Sequence, residues 1–406
     1  MSNEKQNIPT GYKLSSLGII PEDWEVKRLG DFSTFFSGGT PKSGNPLFYN
    51  GNIPFIRSGE IDNDKTEMFL SKEGLSQSSA KLVEKGDILY ALYGANSGQC
   101  AISRINGAIN QAILCIRPDA EKYYILSVLQ LNKDLYYNSY LQGGQGNLSA
   151  EIVSNYKIAL PSLSEQKRIC DLLSLWDTAI AKHTALIEKL TLRKRGLMQQ
   201  LLTGKKRLKG FEGEWKKCVI KNFAKEVSIR NINNTDYVVL SCTKYDGLVP
   251  SLEYFGKQIY SNDLSTYKVV PQNHFAYATN HIEEGSIGYQ VRYNNSLISP
   301  MYTVFKTDKE KVDDIYLFAV LKSHHMIYLY QAMMEGSIDR RGGLRWDSFS
   351  TIKIELPSLE EQQTIAKCLS DADKEIEIQK QKLAAMLEQK KGLMRMLLTG
   401  KRRIAI

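Results

Sequence analysis

Few residues in this sequence have the type and spacing that bond-making chemistry requires. Gly204-Lys205 and Gly400-Lys401 begin like a phosphate-binding loop. The next residues are Lys206 and Arg402, not the Ser or Thr that would hold magnesium, so ATP hydrolysis by this chain is not expected. Adenine methyl transfer would need an Asn/Asp-Pro-Pro-Tyr/Phe loop and a glycine-rich cofactor turn, and neither occurs. Pro118-Asp119-Ala120-Glu121-Lys122 has a nuclease-like composition, but its acidic groups are too close in sequence to come from adjacent strands. His324 and His325 are consecutive within a predicted helix, so their rings diverge. The six cysteines are scattered without a C-x-x-C pair, which argues against zinc and against a disulfide framework. No catalytic residue, no metal site and no cofactor bound by this chain are expected.

What the chain does carry suits a nucleic-acid partner. Its net charge is +9, and lysines and arginines that neutralise phosphates release counterions. A soluble basic protein without such a partner has the same balance, so charge alone leaves the question open. Base edges are read mainly by Arg, Lys, Asn and Gln. In the first half, the candidates are Tyr93, Asn96 and Gln99, with the loop that holds Gln142, Gln145 and Asn147 among glycines. In the second half they are Arg340 and Arg341, bracketed by Gly336 and Gly342, with Tyr277, Asn280 and His281. An ordinary solvated turn is the competing reading of each loop. Lys205-Lys206-Arg207 and Lys401-Arg402-Arg403 are either phosphate-attracting clusters or solvated helix ends.

The elements that position these residues are legible through an internal repeat. Leu160–Arg207 aligns without a gap on Leu356–Arg403, with about 20 of roughly 48 positions identical, which marks a duplicated unit. Both copies begin Leu-Pro-Ser-Leu, continue into Glu165-Gln166 or Glu361-Gln362, and end in Gly-Leu-Met and Leu-Leu-Thr-Gly-Lys. Upstream the match is fainter. Ile158 and Ile354 close predicted strands, Leu148 and Leu344 share a register, helices are predicted at Tyr124–Tyr137 and Tyr316–Tyr328, and Trp24 and Trp215 open the two halves. The interiors, Phe36–Ile105 and Val227–Tyr293, do not match. Ile88–Tyr93, Ala112–Ile116 and Tyr237–Leu240 read as strands, while Gly38-Gly39, Gly143-Gly144 and Gly342-Gly343 read as turns.

Each repeat reads as one long helix, starting at Pro161 with Ser164 and Glu165 and stopping at Gly204. Ile169, Leu173, Trp176, Ile180, Ile187, Leu190, Leu197 and Leu201 recur in steps of four and three, the spacing of a coiled-coil seam. The second copy gives Ile365, Leu369, Ile376, Leu383, Met386, Leu393 and Leu397. Ala372 stands at the level of Trp176, and both seams break at matching polar levels, His183 with Gln379 and Lys194 with Lys390. An amphipathic helix lying on its own domain would show a similar stripe. Shared length and shared breaks favour mutual antiparallel pairing about a pseudo-two-fold axis. The expected fold is α+β: a globular part at 1–158, a spacer helix at 159–208, a second globular part at 209–354 and a second spacer helix at 355–406.

Two variable domains, each followed by an LPSL-x-EQ helix ending in GLM-x-x-LLTGK, resemble the specificity subunit of type I restriction–modification enzymes. The resemblance extends to the Trp24 and Trp215 openings and to Gly86-Asp87-Ile88. It implies that each variable domain is a target-recognition domain for one half of a bipartite double-stranded DNA site. It also implies that the helices set the gap and dock two methyltransferase subunits using S-adenosylmethionine, and that separate translocating restriction subunits use ATP and Mg. Divergent interiors beside matched helices fit an asymmetric target, because different half-sites need different contacts whereas two copies of one partner need the same surface. The alternatives are a specificity subunit of another restriction class or of a methylation-only system, a coiled-coil adaptor without a DNA role, and an enzyme with an unrecognised site. A polar N-terminus and the absence of a long apolar run predict a cytoplasmic protein without a membrane partner.

Overall fold

The computed structural model describes residues 8–140, 147–335 and 343–404; the side chains of Tyr137, Ser139, Tyr140 and Glu335 lie outside that description. The chain divides into two compact units, Met1–Thr184 with Gln381–Ile406, and Ala185–Lys380. Both boundaries fall inside the two long helices, Leu163–Leu201 and Leu359–Leu398. Each unit therefore contains the beginning of one long helix and the end of the other.

The same sheet is built twice from sequences that do not match. In the first unit the strand order is Ser33–Ser37, Ile113–Pro118, Ile88–Ala91, Cys100–Ile102, all antiparallel. In the second it is Ala224–Glu226, Tyr302–Thr307, His274–Ala278, Ile287–Gln290, again antiparallel. The central strands are short apolar runs buried on both faces, such as Ile88, Leu89, Tyr90 and Ala91, so identity within them is free to drift while volume and polarity are kept. Of the strands expected from sequence, Ile88–Tyr93 and Ala112–Ile116 form near their predicted limits. Tyr237–Leu240 does not: the strand is Leu240–Thr243, paired to Gly247–Pro250. Gly38 is required by close approach, because a Cβ there would lie 1.7 Å from the Ile109 carbonyl oxygen.

A pair of helices covers each sheet. Tyr124–Tyr137 was expected as one helix but is Lys122–Leu131 followed by Lys133–Tyr140. Likewise Tyr316–Tyr328 is Asp314–Leu321 followed by His324–Glu335. The breaks fall at Asn132 and at Lys322-Ser323, and Asn132 turns its side-chain amide back onto the Val128 carbonyl, a local bond that competes with helix continuation. Lys157–Leu160 and Lys353–Leu356 then pair with Glu25–Arg28 and Lys216–Val219 respectively, so the strand after each Trp closes against the strand before each long helix.

The long helices begin at Leu163 and Leu359, two residues after Pro161 and Pro357. Ser162 and Ser358, not Ser164, are the caps, each accepting the backbone N–H three residues on, from Glu165 and Glu361, at 3.3 Å. They stop as expected: Gly204 and Gly400 adopt φ of +66° and +69°. The N–H of Lys206 reaches back to the Gln200 carbonyl and that of Arg402 to the Met396 carbonyl, satisfying carbonyls the helix leaves orphaned.

Every seam position is buried or half-buried, while Leu175, Leu186 and Leu192 between them are exposed. Within the first unit, Ile169 and Leu173 share a core with Leu397, Leu398 and Met394. Within the second, Leu201 and Leu202 share one with Ile365 and Leu369. The start of one helix lies on the end of the other in both units, which makes the pairing antiparallel. The polar breaks carry ion pairs between the helices: Lys194 Nζ meets Asp373 at 2.5 Å, and Lys390 Nζ meets Asp177 at 2.5 Å. Both aspartates keep roughly half their surface in water, so such pairs contribute at most about 1 kcal/mol. Replacing Lys194 and Lys390 together with Leu is therefore expected to raise the thermal unfolding midpoint slightly while weakening the single register that the polar levels specify. A lower midpoint in the double variant would show that the lysines stabilise the seam.

Candidate nucleic-acid interface

In each unit a central strand ends in a tight turn, and the chain that follows the helix pair returns to that turn. In the first unit Ile88–Ala91 runs into Leu92–Gln99. Gly94 and Gly98 take φ of +85° and +78° there. The Ala91 N–H donates to the Gln99 carbonyl and the Gly98 N–H to the Ala91 carbonyl. Ser97, buried, donates its hydroxyl to the Leu92 carbonyl at 3.0 Å. The turn holds Asn96 half-buried and Gln99 exposed, with Tyr93 half-buried beside them; burial pushes the Tyr93 phenol up. The Leu148 N–H donates to the Leu92 carbonyl at 2.9 Å, which lands exposed Asn147 next to that turn. Gln142 and Gln145 lie outside the described residues.

The second unit repeats the device. His274–Ala278 runs into Thr279–Ser286, closed by the Ala278 N–H on the Ser286 carbonyl. The Leu344 N–H donates to the Thr279 carbonyl, also at 2.9 Å. Gly343, at φ +65°, has no room for a side chain: a Cβ would fall 2.4 Å from Asn280 Oδ1 and 2.5 Å from the Thr279 carbonyl oxygen. Asn280 is half-buried and His281 exposed. Arg340 and Arg341 lie outside the described residues. Tyr277 requires a correction: it is completely buried, with its ring against Phe349 at 4.6 Å and near Phe305, so it supports the turn from below and does not reach a ligand.

Two other motifs have structural duties. Asp87 is buried and takes Arg117 through two nitrogens, Lys122, and the Glu84 N–H, locking the turn in front of the central strand. Asp119 and Glu121 of the nuclease-like run serve that same framework: the Asp119 N–H bonds the Phe32 carbonyl and the Glu121 N–H bonds Gln166 Oε1. His324 and His325 are exposed at a helix start. His281, Glu283 and Glu284 are the one group of potential metal-ligating side chains among the described residues, and two of the three are exposed.

The Glu-Gln of each repeat forms a clamp that sequence reading missed. Glu165 is buried and receives Arg403 Nε and Nη2 at 3.0 and 2.6 Å, with Trp24 Nε1 at 3.3 Å. Glu361, also buried, receives Arg207 Nε and Nη2 at 2.6 and 2.7 Å, and the guanidinium lies 5.8 Å from the Trp215 ring. Gln166 joins the Pro161 carbonyl to the Glu121 N–H, and Gln362 joins the Pro357 carbonyl to the Asp313 N–H. These bonds bolt the long-helix start to the start of the covering helix. The last arginine of each basic cluster is thus a clamp member and neither a phosphate ligand nor a solvated end. The signal was the constant offset between copies, which pairs a buried-type Glu with an Arg at the far end of each repeat.

Against known proteins, the model of the type I restriction modification DNA specificity domain matches residues 21–192 and again residues 217–389. The chain belongs to the type I restriction–modification DNA specificity family. DNA recognition is the role of that family, and catalysis rests with partner subunits. The specificity subunit of the type I restriction enzyme MjaVIII from Methanocaldococcus jannaschii is 25% identical, covering 95% of this chain and 94% of that protein. The putative MjaX specificity subunit of the same organism is 28% identical, covering 97% of each. Among solved structures, a chain from a study of type I restriction–modification complex assembly and conformational transition aligns with a TM-score of 0.61 at 15% identity, covering 94% of this chain and 99% of that one. The S subunit from M. genitalium aligns with a TM-score of 0.54 at 12% identity, covering 92% and 96%. This specificity subunit therefore has the α+β fold and long-helix pairing expected from its sequence. Among the described residues no helix is long and apolar enough to cross a membrane.

Proposed function

We propose that this specificity subunit reads a bipartite, asymmetric site in double-stranded DNA, one half-site with each unit. The first half-site is read by Tyr93, Asn96, Gln99, Gln142, Gln145 and Asn147, the second by Asn280, His281, Arg340 and Arg341. The observation that carries this reading is the paired bond Leu148 to Leu92 and Leu344 to Thr279. It brings the chain just after each glycine-rich stretch, at Asn147-Leu148 and at Gly343-Leu344, to the same turn in both units, while the residues around that turn differ. A common frame with different polar side chains suits two different half-sites. The repeated clamps suit two identical docking partners, the modification subunits, which supply S-adenosylmethionine chemistry; restriction subunits supply ATP- and Mg-dependent translocation.

The test is duplex selection by the full-length chain from random-sequence DNA, followed by titration over salt. The wild-type chain should enrich two separated half-sites with strongly salt-dependent affinity. Replacing Arg340 and Arg341 singly by Ala should weaken binding to the enriched site by roughly 1–3 kcal/mol where the arginine grips a guanine, and leave the first half-site preference intact. Absence of any enriched sequence would reject DNA reading in favour of an adaptor. Unchanged affinity in both variants would reduce that loop to a turn.

A further inference from the structure

Beside the reading turn of each unit the structure places a further segment. In the first unit Ile53–Ile56 pairs in parallel with Gly107–Ile109, and the chain leaving it, Arg57–Glu67, passes the reading turn. A Cβ on Gly59 would lie 3.3 Å from Asn96 Nδ2. In the second unit Val239, just before Leu240–Thr243, bridges Leu297 in parallel, and the chain leaving that strand also passes the reading turn. Lys322 Nζ donates to the Lys244 carbonyl at 2.7 Å and to the Gly285 carbonyl at 2.8 Å, tying the two together.

Arg57 is built to present one edge. Its Nε and Nη2 donate to the two oxygens of Glu60 at 3.0 Å each, and Nη2 donates to Glu67 at 2.6 Å. Glu60 is buried and also accepts the Arg57 N–H, the Glu67 N–H and the Thr66 hydroxyl. Burial pushes its carboxyl up, but the guanidinium and these donors outweigh that and hold it at about 2. Glu60 therefore stays charged at any working pH and keeps the guanidinium plane fixed. Nη1 donates to nothing among the described residues. Glu67 is 81% exposed, so its carboxylate is readily exchanged for another acceptor. The guanidinium borders a pocket of about 560 Å³ lined also by Gly59, Asn63, Lys65 and Thr66.

The second unit displays different groups from the same place. Lys244–Gly247 is the tip of a tight hairpin, with Gly247 at φ +68°. Tyr245 is 81% exposed, and Lys244 Nζ sits 5.5 Å from its ring centre. Among the described residues, this ring is left largely in solvent with only the Lys244 ammonium over it.

We propose that this segment is a third DNA-contacting element in each unit: Arg57 donates its Nη1 and Nη2 edge to a guanine, and Tyr245 with Lys244 lies against the other half-site. The proposal rests on the DNA-reading function above. In binding, the guanine O6 and N7 replace Glu67 on Nη2 and occupy Nη1, the two-donor match that gives arginine its guanine preference. Glu60 stays in place and fixes the angle of approach.

The experiment is selection of random-sequence duplexes by the full-length chain and by Arg57→Gln, Arg57→Lys and Tyr245→Ala, with thermal unfolding of each. Arg57→Lys keeps a cation against Glu60, so the buried carboxylate is not stranded, but loses the planar edge. Both Arg57 variants are expected to lose discrimination at one guanine position of one half-site by roughly 5- to 150-fold, with the other half-site unchanged. Tyr245→Ala should weaken enrichment of that other half-site alone. The retained half-site reports that each variant is folded. Two enriched half-sites in the wild type with unaltered selection by all three variants would overturn the third element. So would loss of both half-sites at an unchanged unfolding midpoint. A wild-type chain that enriches no sequence would overturn the DNA-reading function itself.

Discussion

One heptad inserted into each long helix is expected to widen the preferred gap between half-sites by up to about three base pairs, with both half-site sequences unchanged. The insertions belong within Ala179–Leu190 and Glu375–Met386. These stretches hold the unit boundaries, after Thr184 and after Lys380, and are remote in sequence from the clamps at Glu165 and Glu361. Seven residues keep both seams in phase, because the four-three spacing returns to itself. They lengthen each helix by about 10 Å at ~1.5 Å per residue, and duplex DNA advances ~3.4 Å per base pair. The accompanying rotation, about a third of a helical turn, must be absorbed by twisting or bending the DNA and will lower activity. Insertion into one helix alone should do worse, since its extra apolar positions meet no partner. The measurement is the motif methylated in cells that carry each variant with its modification partner. An unchanged gap in an active double insertion would place the ruler elsewhere.

The second large effect concerns the clamps. Arg403→Met should destabilise the first unit by up to about 3 kcal/mol, less than the ~3–5 kcal/mol typical of a broken buried pair because the guanidinium is a third exposed. What is lost is chiefly compensation for Glu165, whose side chain is 4% exposed. Its contact with Asp23, more than half exposed, adds little. Arg207→Met should be the more damaging of the two. Glu165 keeps the Trp24 indole N–H as a donor, whereas Trp215 Nε1 is buried without a hydrogen-bond partner among the described residues and does not reach Glu361. Replacing the partner glutamate by Leu as well should restore much of the loss, since a buried pair gives little net advantage over apolar packing. Unfolding followed by tryptophan fluorescence reads both sites, because Trp24 and Trp215 each touch one clamp. Equal midpoints for wild type and Arg207→Met would show that Glu361 is solvated after all.

The sequence determined the plan of this protein. Two copies of a seam with steps of four and three, the same polar breaks and the same Gly stop require two equal helices, because each feature is local and periodic. The absence of catalytic motifs, and the pairing of constant helices with variable interiors, pointed to a reader that borrows its chemistry. The short apolar runs around Ile88 and Ala112 were legible as strands for the same reason, being buried on both faces. The strand at Leu240–Thr243 was misplaced because Ser241, Cys242 and Thr243 carry little hydrophobic signal; pairing with Gly247–Pro250 holds them.

Tertiary structure alone decided what completes each unit and what it displays. Arg403 closes on Glu165 across 238 residues and Arg207 on Glu361 across 154, and no local rule couples such distant side chains. Tyr277 looked like a polar ligand-facing residue beside Asn280, yet strand alternation turns it into the aromatic core under the turn. Arg57 gave no sign in the sequence, since its meaning depends on a buried Glu60 behind it and on Gly59 passing Asn96. Such sites are made by chains that meet far from their sequence neighbours. Composition and periodicity record which face of an element is buried, but not which element it is buried against.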